Sequence, residues 1–181
     1  MKTVHLVVFA GLPGTGKSSV AEEVGRQLEM PVFAKDWLEA TLKRCELQSK
    51  DAGSPNLGYA AYELLTVLAE RQLQLEQSVI LDSVASIENV RREWRNLAEK
   101  YNAEWNVIEC ICSDEEVHRQ RLLGRQRGIK GWHELQWAEV ERVKSYYAEW
   151  DEERLVVDAM NSFEENRQQV ISYIHQSKVG R

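Results

Sequence analysis

The sequence predicts an α/β fold in which about five parallel strands form a sheet with helices on both faces. Strand-like runs alternate with helical patterns along the 181 residues. The first strand-like run, at about 3–10, leads through a glycine-rich turn into a helix at about 17–28, where Val20, Val24 and Leu28 share one face. Because 181 residues suit one domain, we expect residues 1–181 to form a single domain.

The later elements continue this alternation. A short strand at 31–34 precedes a helix that Asp36 would cap, and a polar loop at 51–56 separates that helix from another ending near Gln77. The remaining segments are a strand at 78–81, a helix at 88–100, a strand at 105–111, a helix opened by Asp114, a break at 124–131, a long helix at about 133–150, a strand at 154–157 and a helix at 163–175.

The turn after the first strand reads GLPGTGKSS and matches the phosphate-loop pattern G-x-x-x-x-G-K-[S/T]. Its glycines let successive backbone N–H groups face an anion, and the following helix adds the positive end of its dipole. Lys17 would reach the β and γ phosphates of ATP, and the Ser18 hydroxyl would bind Mg²⁺. A turn without a ligand would not need both side chains. The predicted nucleotide-binding residues are Gly11, Leu12, Pro13, Gly14, Thr15, Gly16, Lys17, Ser18 and Ser19. The fold prediction is therefore a three-layer P-loop NTPase.

Three carboxylates follow predicted strands, at the sheet edge where ligands of such folds bind. Asp36 could accept a proton from an attacking hydroxyl, or it could only cap a helix. Asp82 ends a buried strand, as does the acidic residue that holds Mg²⁺ in phosphate-loop proteins, although a turn role is the alternative. Asp158 could simply begin a loop, and we leave it outside the catalytic set.

A cluster of positive charge lies between two predicted helices, and it consists of Arg119, Arg121, Arg125, Arg127 and Lys130. Arginine pairs bidentately with phosphate oxygens, and a closing segment can exclude water. We therefore expect a helical lid at about 119–133. The alternative is a solvated helix face paired with Glu115 and Glu116.

Composition narrows the classes of partner. The formal net charge of -6 disfavours nucleic acid without excluding it, and 43% hydrophobic residues disfavour a membrane protein. Three cysteines fit a reducing compartment, and the first apolar run leads into the phosphate loop instead of a cleavage site. The cytoplasm is the expected location. Four tryptophans (Trp94, Trp105, Trp137 and Trp150) fit core positions, whereas Trp37, Trp132 and His133 have no assigned role, and no partner is evident for His133.

The chain resembles a group of small phosphate-loop kinases that includes polynucleotide kinase, chloramphenicol phosphotransferase, zeta toxins and gluconate kinase. The matching segments are GLPGTGKSS at 11–19, AKDWLEATL at 34–42, VILDS at 79–83, REWRNLAEKY at 92–101 and RQRLLGRQR at 119–127. This resemblance implies that Asp36 is the general base and that Lys17 and Ser18 bind nucleotide and Mg²⁺. It also implies that Arg125 is the lid arginine, with Arg121 a neighbouring candidate.

One departure bears on the substrate. Nucleic-acid kinases of this group commonly carry an arginine a few residues after the basic aspartate, where this chain has Glu39 and Ala40. We therefore expect an ATP-dependent kinase that phosphorylates a hydroxyl of a small molecule. A polynucleotide 5'-hydroxyl kinase is one alternative, and a nucleotide-dependent switch without a phosphorylated substrate is another. The sequence identifies neither the acceptor nor the oligomeric state.

Overall fold

The computed structural model describes residues 3–45 and 56–176, so five of the six positions of the predicted loop at 51–56, together with residues 46–50, lie outside the described residues. The strands are β1 His5–Ala10, β2 Val32–Ala34, β3 Val79–Asp82, β4 Glu104–Ile111 and β5 Leu155–Asp158. The helices are α1 Lys17–Leu28, α2 Lys35–Arg44, α3 Leu57–Gln74, α4 Glu88–Lys100, α5 Glu115–Leu123, α6 Trp137–Tyr146 and α7 Phe163–Gln176.

The five strands form a parallel sheet in the order β2-β3-β1-β4-β5. β1 is the central strand, so the loop that follows it emerges in the middle of the carboxyl edge. The register pairs Asp82 with Phe9 on one side and with Ala34 on the other. Residues that follow Ala10, Ala34 and Leu81 therefore meet at one edge of the sheet, as expected for ligand sites in such folds.

Both faces of the sheet are buried under helices. Every residue of β1 is buried, and its side chains alternate between two hydrophobic clusters. Leu6 and Val8 belong to the cluster that includes Leu65 of α3 and Trp94 of α4. The opposite cluster joins Val7 and Phe9 of β1 to residues of α1 and α7. The predicted three-layer α/β fold is confirmed.

Local patterns predicted several elements closely. Helix α1 spans Lys17–Leu28 and α4 spans Glu88–Lys100, as predicted, and Asp114 caps α5 by accepting from the Val117 N–H at 2.9 Å. The interpretation of Asp36 as a cap is wrong, because Ala34 holds the N-cap position of α2 and Asp36 lies in the first turn.

The long helix predicted at 133–150 is also wrong, since α6 spans only Trp137–Tyr146. Its start is set by a capping box between Gln136 and Glu139. Beyond its end, the buried Arg91 donates to the carbonyl oxygens of Ala148 at 2.8 Å and Glu149 at 2.9 Å. The guanidinium also lies 3.7 Å from the Trp150 ring centroid. These contacts hold residues 148–150 against α4 outside any helix.

Candidate functional site

The loop after β1 adopts a conformation that depends on glycine. Gly11, Gly14 and Gly16 have φ values of 130°, 90° and 83°. A Cβ on Gly11 would lie 2.1 Å from the carbonyl oxygen of Cys110, whereas a Cβ on Gly16 would meet no atom within 4 Å. Gly11 therefore allows close packing on β4, and the space beside Gly16 is open for a ligand.

Two carbonyl groups of this loop accept hydrogen bonds from side chains. The Leu12 oxygen accepts from the Thr15 hydroxyl at 2.9 Å and from Lys17 Nζ at 3.4 Å. The Pro13 oxygen lies 2.7 Å from Nε2 of His118, a residue of α5 that is 4% exposed. No sequence motif singled out His118 as a site residue. Its spacing of four from the buried Leu122, on a helix that is otherwise largely exposed, is a signal that could have found it.

Lys17, Ser18 and Asp82 form a buried polar cluster beneath the loop. Burial lowers the pKa of Lys17, against the opposing effect of Asp82 and Asp36. Burial raises the pKa of Asp82, although Lys17 and a hydrogen bond from Ser18 oppose the rise. Asp82 Oδ1 is buried and has no hydrogen-bond partner among the described residues. A carboxylate oxygen without a partner beside a serine hydroxyl fits a site for Mg²⁺ or for one of its water ligands.

Asp36 lies where the segment between α5 and α6 meets the phosphate loop. Its Oδ2 accepts a charge-assisted hydrogen bond from Arg127. A second guanidinium nitrogen of Arg127 donates to the Ser18 hydroxyl at 3.1 Å. The Arg127 side chain is 7% exposed, so this bridge is shielded from solvent. The carboxylate predicted to be the base and the hydroxyl predicted to bind metal thus share one arginine.

The other predicted arginines occupy different surroundings. Arg125 lines a cavity together with Lys17 and Asp36, and burial followed by the neighbouring charge of Arg127 lowers the pKa of Arg125. Arg121 is exposed, and its charge acts on Cys112 and Asp158. The structure thus places Arg125 beside the cluster of Lys17 and Asp36, and it places Arg121 outside it.

This cavity, which we call the acceptor cavity, has a volume of about 280 Å³. Its walls come from α2, the start of α3, the turn after β3, the segment between α5 and α6, and α6. Glu39 on α2 contacts Lys35 at 2.6 Å and Lys43 at 2.8 Å. Burial alone would raise the pKa of Glu39, but these two lysines outweigh it and the pKa is lowered. The wall at Glu39 therefore carries paired charges of both signs.

The segment between α5 and α6 also contacts α2. Arg44 donates to the carbonyl oxygen of Lys130 at 3.3 Å, and Lys43 Nζ lies 4.9 Å from the Trp132 ring centroid. Gly131, with φ 82°, is so close to Arg44 that a Cβ would lie 2.7 Å from Arg44 Cγ. In this arrangement the segment covers one side of the acceptor cavity.

A family model described as an AAA domain matches residues 6–150, which is most of the chain. The chain belongs to this AAA domain family. Among curated proteins, none matches the sequence. No helix within residues 3–45 and 56–176 combines the length and the apolar character needed to cross a bilayer.

Solved structures show the same fold as this AAA domain. A candidate kinase from Chloroflexus aurantiacus J-10-fl is 23% identical, with a TM-score of 0.74 over 95% of this chain and 99% of that chain. A gluconokinase from Sinorhizobium meliloti 1021 is 15% identical, with a TM-score of 0.70 over 97% and 94%. The Mycobacterium tuberculosis APS kinase CysC in complex with AMPPNP and APS is 19% identical, with a TM-score of 0.68 over 96% and 99%. The fold of this chain is that of P-loop kinases.

The aromatic residues singled out in the sequence occupy different environments in this AAA domain. Of the four tryptophans predicted at core positions, Trp94 and Trp150 are buried, whereas Trp105 and Trp137 are only partly buried. Trp37 is 50% exposed. Trp132 and His133 line the cavity. The sequence offered no evident partner for His133, and in the structure its Nε2 lies 3.0 Å from Glu139 Oε1.

Proposed function

We propose that the protein is an ATP-dependent kinase that transfers the γ-phosphoryl group to a hydroxyl group of a small-molecule acceptor. The observation that carries this proposal is the position of Asp36. Its carboxylate borders the acceptor cavity on one side and, through Arg127, is joined to Ser18 of the phosphate loop on the other. We further propose that residues 1–181 act as one domain in the cytoplasm, where ATP is abundant.

In the proposed reaction the acceptor oxygen bonds to the γ-phosphorus while the bond from that phosphorus to the bridging oxygen of ADP breaks. Lys17 would orient the β and γ phosphates, and the Asp36 carboxylate would accept the hydroxyl proton. Arg127 and Arg125 would neutralise charge that develops on the transferring group. Ser18 and Asp82 would hold Mg²⁺, which supplies positive charge at the phosphate oxygens.

The size and charge of the acceptor cavity favour a small molecule over a nucleic-acid end. A volume of about 280 Å³ is near the lower end of small-ligand pockets. The wall at Glu39 carries a carboxylate flanked by two lysines instead of a cluster of free arginines. The APS kinase with the same fold is a complex with a small substrate, APS, and a nucleotide, AMPPNP, which supports this class of acceptor by analogy.

The test is acceptor-dependent release of ADP with Mg²⁺ and ATP, measured over a panel of alcohols, sugars, sugar acids, nucleosides, antibiotics and oligonucleotides with free 5' hydroxyls. We expect a small molecule to stimulate ADP release and to appear as its phosphate ester by mass spectrometry. Stimulation by oligonucleotides alone would favour polynucleotide kinase activity. ATP binding without any stimulating acceptor would favour the nucleotide-dependent switch.

A pair of variants separates binding from chemistry. Asp36→Asn is expected to lower turnover by about 10²- to 10⁴-fold while ATP affinity changes little, because it removes the proton acceptor and keeps the side-chain shape. Lys17→Ala is the control and is expected to weaken ATP binding itself. Unchanged turnover in Asp36→Asn would exclude Asp36 as the base, and unchanged ATP affinity in Lys17→Ala would contradict the phosphate-loop assignment.

A further inference from the structure

His118 occupies a junction between the phosphate loop and the helices on either side of the proposed lid. Its Nε2 lies 2.7 Å from the Pro13 carbonyl oxygen, and 105 residues separate the two in sequence. Its ring packs edge-on against Trp137, with centroids 5.1 Å apart and an interplanar angle of 87°. Trp137 is the first residue of α6, so one side chain on α5 contacts both the loop and α6.

The contact extends to the neighbouring glycine of the loop. A Cβ on Gly14 would lie 3.1 Å from both Cδ2 and Nε2 of His118, and 3.3 Å from a methyl carbon of Leu122. His118 and Leu122 are buried one helical turn apart on α5. The loop therefore rests on α5 at Gly14 as well as at Pro13.

The chemistry of an anion-binding loop explains why this contact matters. Such a loop turns its N–H groups toward the ligand, so carbonyl groups that point away need donors from elsewhere. The Leu12 carbonyl has donors within the loop and its helix, Thr15 and Lys17. The Pro13 carbonyl has the imidazole of His118, a buried donor held in place by Trp137. A loop peptide whose carbonyl is bonded in this way cannot rotate without breaking that bond.

We infer that His118 is a positioning residue that holds the Pro13 carbonyl outward and so keeps the phosphate loop in its anion-binding conformation. Because the same ring packs on Trp137, His118 also links the loop to the base of the proposed lid. The bond requires a proton on Nε2, so the imidazole acts as the donor and the carbonyl as the acceptor. This inference rests on the nucleotide binding that the proposed function requires.

The experiment measures the dissociation constant of Mg²⁺-ADP by calorimetry, together with the thermal midpoint, in the full-length protein. In His118→Ala we expect nucleotide binding to weaken about 3- to 10-fold, which corresponds to the loss of one net hydrogen bond. His118→Gln can place an amide N–H near the position of Nε2, so it should recover most of the affinity. His118→Phe retains an aromatic ring against Trp137 but has no donor, so its affinity should stay low.

A second buried histidine provides the matched control. His5 is 2% exposed and begins β1, at the opposite edge of the sheet from the loop. Its Nδ1 lies 3.0 Å from Asn106 Oδ1. His5→Asn should lower the thermal midpoint and leave the dissociation constant unchanged, which separates a general loss of stability from an effect on the loop.

The outcomes distinguish the two proposals. If the wild-type protein fails to bind Mg²⁺-ADP, the proposed function fails, and this inference with it. If the wild type binds but His118→Phe and His118→Gln both match it, the inference fails and the proposed function stands. If His118→Ala does not fold, the comparison of His118→Gln with His118→Phe still decides, because only Gln restores a donor.

Discussion

Arg127 and Asp36 are joined by a charge-assisted hydrogen bond between segments 91 residues apart in sequence. The same guanidinium donates to Ser18 of the phosphate loop. A bridge of this kind combines two of the donors that arginine holds in a fixed planar fork, which lysine cannot reproduce. Arg127 therefore connects the proposed acceptor side of the site with its nucleotide side.

This relationship predicts a rank order for three arginines of the proposed lid, Arg127, Arg125 and Arg121. Arg127→Ala is expected to lower kcat by about 10²- to 10³-fold, because it removes a preorganised cation next to the proposed base, Asp36. Arg125→Ala should lower kcat less than Arg127→Ala does. Arg121→Ala should lower kcat least, because Arg121 is exposed and lies outside the cluster. Steady-state kinetics with the acceptor identified by the panel checks the order. A larger loss in Arg121→Ala than in Arg127→Ala would contradict it.

The unpartnered oxygen of Asp82 predicts a metal-specific defect. In Asp82→Asn the gain in ATP affinity produced by Mg²⁺ should fall about 10- to 100-fold, while affinity measured in EDTA stays within about twofold. Asp158→Asn is the matched control, since Asp158 also ends a strand but its Oδ1 accepts from the backbone N–H groups of Ser113 and Met160. Titration of ATP with and without Mg²⁺ measures both. An equal loss of ATP affinity with Mg²⁺ and in EDTA would exclude Asp82 from the metal site.

Substitution of two glycines of the loop by alanine should affect different properties of the protein. Gly11→Ala is expected to lower the free energy of unfolding by about 2–4 kcal/mol, because its methyl group would overlap the Cys110 carbonyl. Gly16→Ala should cost only about 1–2 kcal/mol of stability, because its surroundings are open. Its methyl group would instead occupy the proposed phosphate space and weaken nucleotide binding about tenfold or more. Urea denaturation measures the free energy of unfolding, and calorimetry measures nucleotide binding. Equal changes of both quantities in the two variants would contradict this prediction.

Tyr62 predicts a loss of stability at alkaline pH. Burial raises the pKa of Tyr62 to about 12, although hydrogen bonds with Ser86 and Ser83 oppose the rise. The folded state thus holds the phenol proton more tightly than the unfolded state, whose tyrosine pKa is about 10. The stabilisation is complete below about pH 10 and is lost as the pH rises toward 12, for a total of about 2–3 kcal/mol.

Urea denaturation between pH 9 and 11 checks this prediction. The free energy of unfolding should fall less steeply with pH in Tyr62→Phe than in the wild type. Tyr146→Phe is the control, because Tyr146 also lines the acceptor cavity but is 54% exposed. Parallel pH profiles for wild type and Tyr62→Phe would contradict the expectation.

Local patterns predicted the fold well, because a periodic apolar stripe or a glycine-rich motif lies within a few neighbouring residues. The bounds of α1 and α4 and the parallel sheet followed from such patterns. The end of α6 depends instead on Arg91, which holds the Ala148 and Glu149 carbonyls from a helix more than fifty residues earlier. The sequence pattern within 133–150 alone cannot predict that contact.

The sequence predicted which types of residue form the candidate site, but not which arginine contacts Asp36. The sequence indicated an arginine cluster near the phosphate loop, but the resemblance implied Arg125 and Arg121, and the structure places Arg127 on Asp36. That choice depends on the irregular backbone of the α5–α6 connection, where Gly128 and Gly131 have positive φ. The roles of Asp36, Asp82 and the lid arginines stay predictions until the variants are measured.

The bridge from Arg127 to Asp36 also has a consequence for the hydrolysis of ATP by water. A base that can accept a proton from an alcohol can accept one from water, and water is always present at high concentration. While Arg127 holds the carboxylate, the negative charge of Asp36 is compensated and one of its oxygens already accepts a hydrogen bond. If Asp36 is the base, as we propose, an acceptor that displaces this contact would free it only when a productive substrate is bound. Arg127 would then protect ATP from hydrolysis in the same position from which we propose that it assists transfer.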